Sequence, residues 1–244
     1  MTAPSRYWAD LATTDFAALD CARAIAVLPV AATEQHGPHL PLSVDTDLVD
    51  GVVRASQAHL PADLPALFLP TQAVGYSPEH MAFAGTLTLK AETIIRLWTD
   101  MAESVAATGV KKLVLFNSHG GQVSLMDVVA RDWRARLGLL VYSVSWFKLP
   151  LTDETGRDVN ALFSAQERRF GIHAGDIETS LMLALHPQQV LDHVEHLVLG
   201  LNQVPQLPGN VIGSRQRSHE QIGVAQILEI VVDDVLRLAN AHAE

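Results

Sequence analysis

Four short stretches of the chain concentrate side chains that bind cations and move protons. They are Thr33-Glu34-Gln35-His36-Gly37-Pro38-His39 with Asp45-Thr46-Asp47 close behind, Ser77-Pro78-Glu79-His80, Ser118-His119-Gly120-Gly121, and His173-Ala174-Gly175-Asp176-Ile177-Glu178. Imidazole nitrogens mixed with carboxylate oxygens form the kind of donor set used by Zn²⁺ and Mn²⁺. Cys21 is the sole cysteine, which leaves no internal disulfide and no cysteine-paired zinc site, so any metal must be held by histidine and carboxylate. Each residue alone has a plainer explanation: His119 before two glycines could form a turn, and Asp176 with Glu178 could favour a helix N-terminus. Four separate groups of the same chemistry weaken that explanation jointly. By contrast, His59, His186, His193, His196, His219 and His242 stand in helical or charged surroundings and read as surface or structural residues. His39 stands between ligand and support. The chain has no Gly-x-Ser-x-Gly elbow, no Gly-x-x-x-x-Gly-Lys-Ser/Thr loop and no Gly-x-Gly-x-x-Gly fingerprint, so serine-hydrolase, nucleotide-hydrolase and dinucleotide-dependent readings lack their anchors.

Short apolar runs alternate with longer segments of helical period, the pattern of a mostly parallel sheet covered by helices on both faces. Residues 24–32, 67–74, 112–117 and 139–146 are rich in Val, Leu and Ala and read as buried strands. Cys21 precedes the first of them and reads as core. Residues 47–59, 91–108 and 122–137 read as amphipathic helices, the second with Ile94, Ile95, Leu97, Trp98, Met101 and Val105 at helical spacing. A short helix over 177–185 stops before Pro187, and a last helix is expected over 220–241. Residues 152–169 are charged and read as an excursion over the sheet, with Arg157, Arg168 and Arg169 in a solvated loop or, as the alternative, gripping a substrate carboxylate or phosphate over the pocket. Ligands of such sheets bind beyond the carboxyl ends of the strands, where the first three chemical groups fall.

At 244 residues the chain fits a single α/β domain spanning 1–244. Its composition is 48% apolar and 18% charged, enough for a core and too apolar for disorder. Seventeen Lys+Arg against 27 Asp+Glu give a net charge of −10 with no basic block, which disfavours nucleic acid and anionic membrane surfaces as partners. No stretch reads as a leader peptide or as the roughly 18 apolar residues of a membrane span, so a cytoplasmic location is expected.

In their order and spacing the four motifs, together with Gly85-Thr86 after the second and Glu178-Thr179-Ser180 in the fourth, resemble those of the creatininase (creatinine amidohydrolase) family over about residues 27–185. The resemblance implies a doubly wound α/β domain holding two divalent ions per chain, Zn and/or Mn with Fe as a further option. It also implies hydrolysis of a non-peptide amide bond of a small molecule. Carried over by position, Glu34, His36, Asp45, His119 and Glu178 correspond to metal ligands, with Asp45 bridging. His173 corresponds to the acid/base histidine and Ser77 to a substrate-contacting residue. Such a pair of cations activates water, and a histidine just outside the ligand set can move a proton onto the departing nitrogen. A homo-oligomer, a hexamer in the family, is implied as well.

The resemblance stops short of creatininase proper. That enzyme follows the third-strand histidine with an aromatic residue and a further glutamate ligand, where this chain has Gly120 and Gly121, and with Asn in place of Gln122. It also closes its pocket with tryptophans, whereas residues 152–172 contain none. Creatinine is therefore not the expected substrate. A cyclic amide or formamide is, with a specialised peptidase or a non-catalytic metal-binding assembly subunit as the alternatives.

Overall fold

The computed structural model describes residues 5–149 and 158–191. After a short first helix α1 (Thr13–Ala18) the order is β1 (Ile25–Val30), α2 (Val44–Ser56), β2 (Ala66–Phe68), α3 (Ala91–Ala107), β3 (Lys112–Asn117), α4 (Val123–Leu137), β4 (Leu140–Ser145), α5 (Ala165–Phe170) and α6 (Asp176–Leu185). The four strands form one parallel sheet in the order β2-β1-β3-β4. The expected α/β class and parallel sheet are therefore present.

Strand alternation sends side chains to opposite faces, and both faces here are apolar because helices cover both. Ile25 and Val27 of β1, Val114 and Phe116 of β3 and Val144 of β4 pack with Val44, Leu48, Val49, Val52 and Val53 of α2 and Leu181 and Met182 of α6. Ala26, Leu28, Leu113, Leu115 and Val141 face the other way, onto Ile94, Trp98, Ala102 and Val105 of α3 and Met126, Val129, Ala130 and Trp133 of α4. Cys21 is partly buried and packs on this second layer from its edge rather than inside it.

Several boundaries differ from the sequence expectation. The second strand ends at Phe68 instead of reaching residue 74: Leu69 N–H still reaches the Val27 carbonyl at 2.8 Å, but the next contact is Gln72 N–H on the Pro29 carbonyl at 3.0 Å, three residues on where β1 advances by two, so the extra residue breaks the regular alternation of the ladder. That early ending also explains how central strand β1 tolerates Pro29, whose absent N–H lies on the side where β2 has stopped. Helix α2 begins at Val44, ahead of residue 47, so Asp45 stands on its first turn. The excursion contains a helix the sequence did not suggest, α5, capped at its start by Ser164, whose Oγ accepts from Glu167 N at 3.0 Å. Arg168 and Arg169 on α5 are exposed. Arg157 and the helix expected over 220–241 lie outside the described residues.

Helices α2 and α6 pack side by side on the same face of the sheet, which brings the first turn of one near the first turn of the other. A Cβ at Gly51 of α2 would come within 2.5 Å of Leu185 Cδ1. Gly51→Val is expected to lower unfolding free energy by about 1–3 kcal/mol through overpacking. Val128→Thr on the exposed face of α4 should change it by less than about 0.5 kcal/mol. Chemical denaturation of the two variants checks the contrast.

Candidate metal centre

The strand order doubles back after β2, so the carboxyl ends of β1 and β3 lie side by side at the point where a doubly wound sheet opens a crevice. The loop after β1 is pinned by Glu34 N on the Leu42 carbonyl at 3.1 Å and by Leu87 N on the Thr33 carbonyl at 2.9 Å. It turns Glu34 and His36 inward, both 0% exposed. The turn after β3 is braced by Asn117, whose Oδ1 accepts from His119 N at 2.9 Å and from Gln122 Nε2 at 2.9 Å. Asp45 comes from the first turn of α2 and Glu178 from the first turn of α6.

Five of the expected residues meet. His119 Nδ1 lies 3.2 Å from Glu34 Oε1 and 3.3 Å from Asp45 Oδ2, while His36 Nε2 lies 3.5 Å from Asp45 Oδ1 and 3.7 Å from Glu178 Oε1. The two oxygens of Asp45 thus face two different histidines. Both oxygens of Glu34, His36 Nε2, Asp45 Oδ2 and His119 Nδ1 are buried without a hydrogen-bond partner. Buried polar atoms are nearly always paired, so this set fits a cation. Glu34, Asp45 and His119 form one group with ligand-compatible spacing, His36, His173 and Glu178 a second, and Glu34, His80 and His173 a third.

Backbone carbonyls orient both imidazoles. His36 Nδ1–H donates to the Glu34 carbonyl at 3.1 Å and His119 Nε2–H to the Tyr76 carbonyl at 2.9 Å, so in each ring the remaining nitrogen points inward, as metal-ligating histidines require. Burial opposes charge on His36, but Asp45 and Glu178 outweigh it and push its pKa up to about 9; His119 rises to about 10 through Asp45 and Glu34. Burial alone would raise the two carboxyls, yet the histidines hold Glu34 and Asp45 below the ordinary range. Burial dominates at Glu178, pushed up to about 7.

His173 joins this cluster from the loop before α6, its Nδ1 3.7 Å from Glu34 Oε1. Burial, aided by the charge of His36, lowers its pKa. Ala174 beside it has φ +54°, the single non-glycine with positive φ among the described residues, and its N–H donates to Glu178 Oε2. Gly37 faces that bend: at φ +66°, a Cβ there would lie 2.8 Å from Ala174 Cβ. Ser77 is fully buried with its Oγ 3.3 Å from His119 Nε2, so it reaches the cluster. His39 does not: its Nε2 lies 2.9 Å from Thr179 Oγ1, which ties the first loop to α6.

The sequence assigned no role to His80, yet it is buried and lies 3.1 Å from His173, Nε2 to Nε2. Its place in Ser77-Pro78-Glu79-His80 was the available signal. A Cβ at Gly120 would meet nothing within 4 Å, whereas one at Gly121 would lie 2.6 Å from Glu79 Oε1 and from His119 Nε2. A side chain at 121 therefore has no room in this arrangement, and the wall beside residue 120 is open.

An α/β sheet with a buried carboxylate–imidazole cluster at its strand ends defines the class of protein. The chain belongs to the creatininase family, whose profile, described as creatinine amidohydrolase, matches residues 9–199. It is 36% identical over 170 residues to the mycofactocin precursor peptide peptidase of Mycobacterium tuberculosis (strain ATCC 25618 / H37Rv), covering 67% of this chain and 59% of that protein. The chain thus spans less than two thirds of the length of that relative. With the creatinine amidohydrolase of Pseudomonas putida the identity is 31% over 189 residues, 73% of this chain and 70% of the other. A crystal structure of creatinine amidohydrolase (creatininase) superposes with a TM-score of 0.68 at 26% identity over 98% of this chain and 96% of that one. Among the described residues no helix is long and apolar enough to cross a membrane.

The pKa directions fix how the metal-free fold responds to pH. A group whose folded pKa is raised contributes stability below its unfolded pKa and loses it as pH climbs through the folded value. For His36 and His119 that loss runs from about 6.5 through about 9 and 10, and for Glu178 from about 4.5 through about 7. Because the lowered pKa of His173 works the other way up to about 6.5, the urea midpoint of chelator-treated protein is expected to fall steadily between pH 7 and pH 10. A flat or rising profile contradicts this.

Proposed function

We propose that the chain is a metal-dependent hydrolase that cleaves a non-peptide C–N amide bond of a small molecule, a cyclic amide or a formamide, with water as the nucleophile. The observation that carries this reading is Asp45, whose two oxygens separately face His36 and His119 at 3.5 and 3.3 Å, among inward-facing nitrogens and oxygens that have no hydrogen-bond partner. In this reading Glu34, Asp45 and His119 hold one divalent ion and His36, Asp45 and Glu178 the other. When bound there, Zn²⁺, Mn²⁺ or Fe supplies polarisation of the amide carbonyl and a lowered pKa for water. The chain's own residues do the rest. The carbonyls of Glu34 and Tyr76 keep the ligand nitrogens aimed inward, and Ser77, beside His119, is the residue that the family resemblance places against substrate. His173, five residues before Glu178 and outside the ligand set, serves the departing nitrogen.

A second reading, a peptidase, is favoured by the open space beside Gly120 and by the similarity to the mycobacterial peptide peptidase. Protein loaded with Zn²⁺ or Mn²⁺ and presented with cyclic amides, formamides and short peptides separates the two. The expected result is metal-dependent turnover of an amide or formamide, reduced about 10²–10⁴-fold in His173→Ala with both ions retained. Turnover of peptides alone establishes the second reading. Two bound ions with no turnover across the panel point instead to a metal-binding assembly subunit.

A further inference from the structure

Two ligand histidines have their outer nitrogen turned to a backbone carbonyl. His173 differs, because the atom behind it is another imidazole, and the polarity of that contact can be read outward along a chain of hydrogen bonds. Gly37 N–H donates to Gln35 Oε1 at 3.0 Å, which fixes the orientation of the Gln35 amide, since a backbone N–H can only donate. The amide's other end, Nε2, is a donor and lies 3.3 Å from His80 Nδ1, so that nitrogen accepts. The uncharged His80 ring then carries its proton on Nε2, 3.1 Å from His173 Nε2. His173 Nε2 accepts in turn, which places the His173 proton on Nδ1. Nδ1 is the buried nitrogen with no hydrogen-bond partner that faces Glu34 Oε1 at 3.7 Å. The two rings meet edge to face, centroids 4.6 Å apart at 90°, as an N–H of one aimed at the in-plane lone pair of the other allows.

We infer that Gln35 and His80 are positioning residues that fix His173 as its Nδ1–H tautomer, so that it enters the site as a hydrogen-bond donor and not as a metal ligand. His173 and His80 each fall in side-chain groups whose spacing would permit a cation. Spacing cannot distinguish a lone pair from an N–H, and the chain of donors does. The same device that makes His36 and His119 ligands, an acceptor behind the ring, is replaced behind His173 by a donor. This inference rests on the reading of His173 as the residue serving the departing nitrogen, and it specifies the state in which the ring does so. An N–H directed into the site can hydrogen-bond a substrate nitrogen or oxygen while the ring stays uncharged.

The test is the tautomer itself. The full chain labelled with ¹⁵N-histidine gives long-range ¹H–¹⁵N correlations that distinguish Nδ1–H from Nε2–H, with His173 assigned by the signal missing in His173→Gln. At a pH where the ring is uncharged, the wild type is expected to show His173 as Nδ1–H, both metal-free and loaded with Zn²⁺. Free imidazole side chains prefer Nε2–H, so the outcome is not the default. Gln35→Leu, which removes the orienting amide at a partly exposed position, is expected to return His173 towards Nε2–H, and His80→Phe to do so more completely. His80→Gln, whose amide can again donate to His173, is expected to restore Nδ1–H. The inference is overturned by Nε2–H in the wild type, by a Zn²⁺-bound Nδ1, or by an Nδ1–H preference that survives both Gln35→Leu and His80→Phe. Absence of turnover by metal-loaded wild type bears on the hydrolase reading alone and leaves the tautomer result standing.

Discussion

Everything in the site follows from taking ionisable groups out of water. Glu34, His36, Asp45 and His119 are each at most 3% exposed, and desolvating a charge costs several kcal/mol unless close partners offset it. Without a metal the partners are one another: imidazoles raised to about 9 and 10 remain protonated against carboxyls held low. That arrangement is serviceable but incomplete, because the facing atoms stand at 3.2–3.7 Å and most lack an aligned hydrogen bond. A cation between them would satisfy carboxylates and imidazoles together, displacing the histidine protons as it does so.

The fold supplies the rigidity this requires. Two loops carrying Glu34, His36 and His119 leave adjacent parallel strands, and Asp45 and Glu178 stand on the first turns of helices packed on the same face of the sheet. What separates the roles of chemically similar residues is what lies behind each ring. A carbonyl behind His36 and His119 turns a lone pair inward, and a donor behind His173 turns a proton inward. At the two glycines after His119, a side chain at 121 would strike Glu79 and His119, while space beside 120 stays open.

Much of this was legible in the sequence because the physics behind it is local. Continuous apolar runs marked β1, β3 and β4, and placing Glu34, His36 and His119 just beyond strand ends needed only those runs. The positions of Asp45 and Glu178 followed from the family resemblance, and the two helices bring them to the same place. Other features depend on neighbours distant in the chain. The brevity of β2 reflects the extra residue between Leu69 and Gln72 that breaks its pairing with β1, and the six residues Ala165–Phe170 of α5 are too short to show an apolar period. His39 could not be resolved between ligand and support until Thr179 was beside it, 140 positions away. The part played by His80 and Gln35 arises from hydrogen-bond polarity across three loops, which no spacing rule encodes.

The central claim is that Asp45 joins two cation positions, and anomalous diffraction from crystals grown with Zn²⁺ or Mn²⁺ tests it most directly. The account predicts two anomalous peaks per chain, one against Glu34, Asp45 and His119 and the other against His36, Asp45 and Glu178, with Asp45 touching both. A single peak, peaks away from these residues, or a peak coordinated by His173 in place of Asp45 would contradict it.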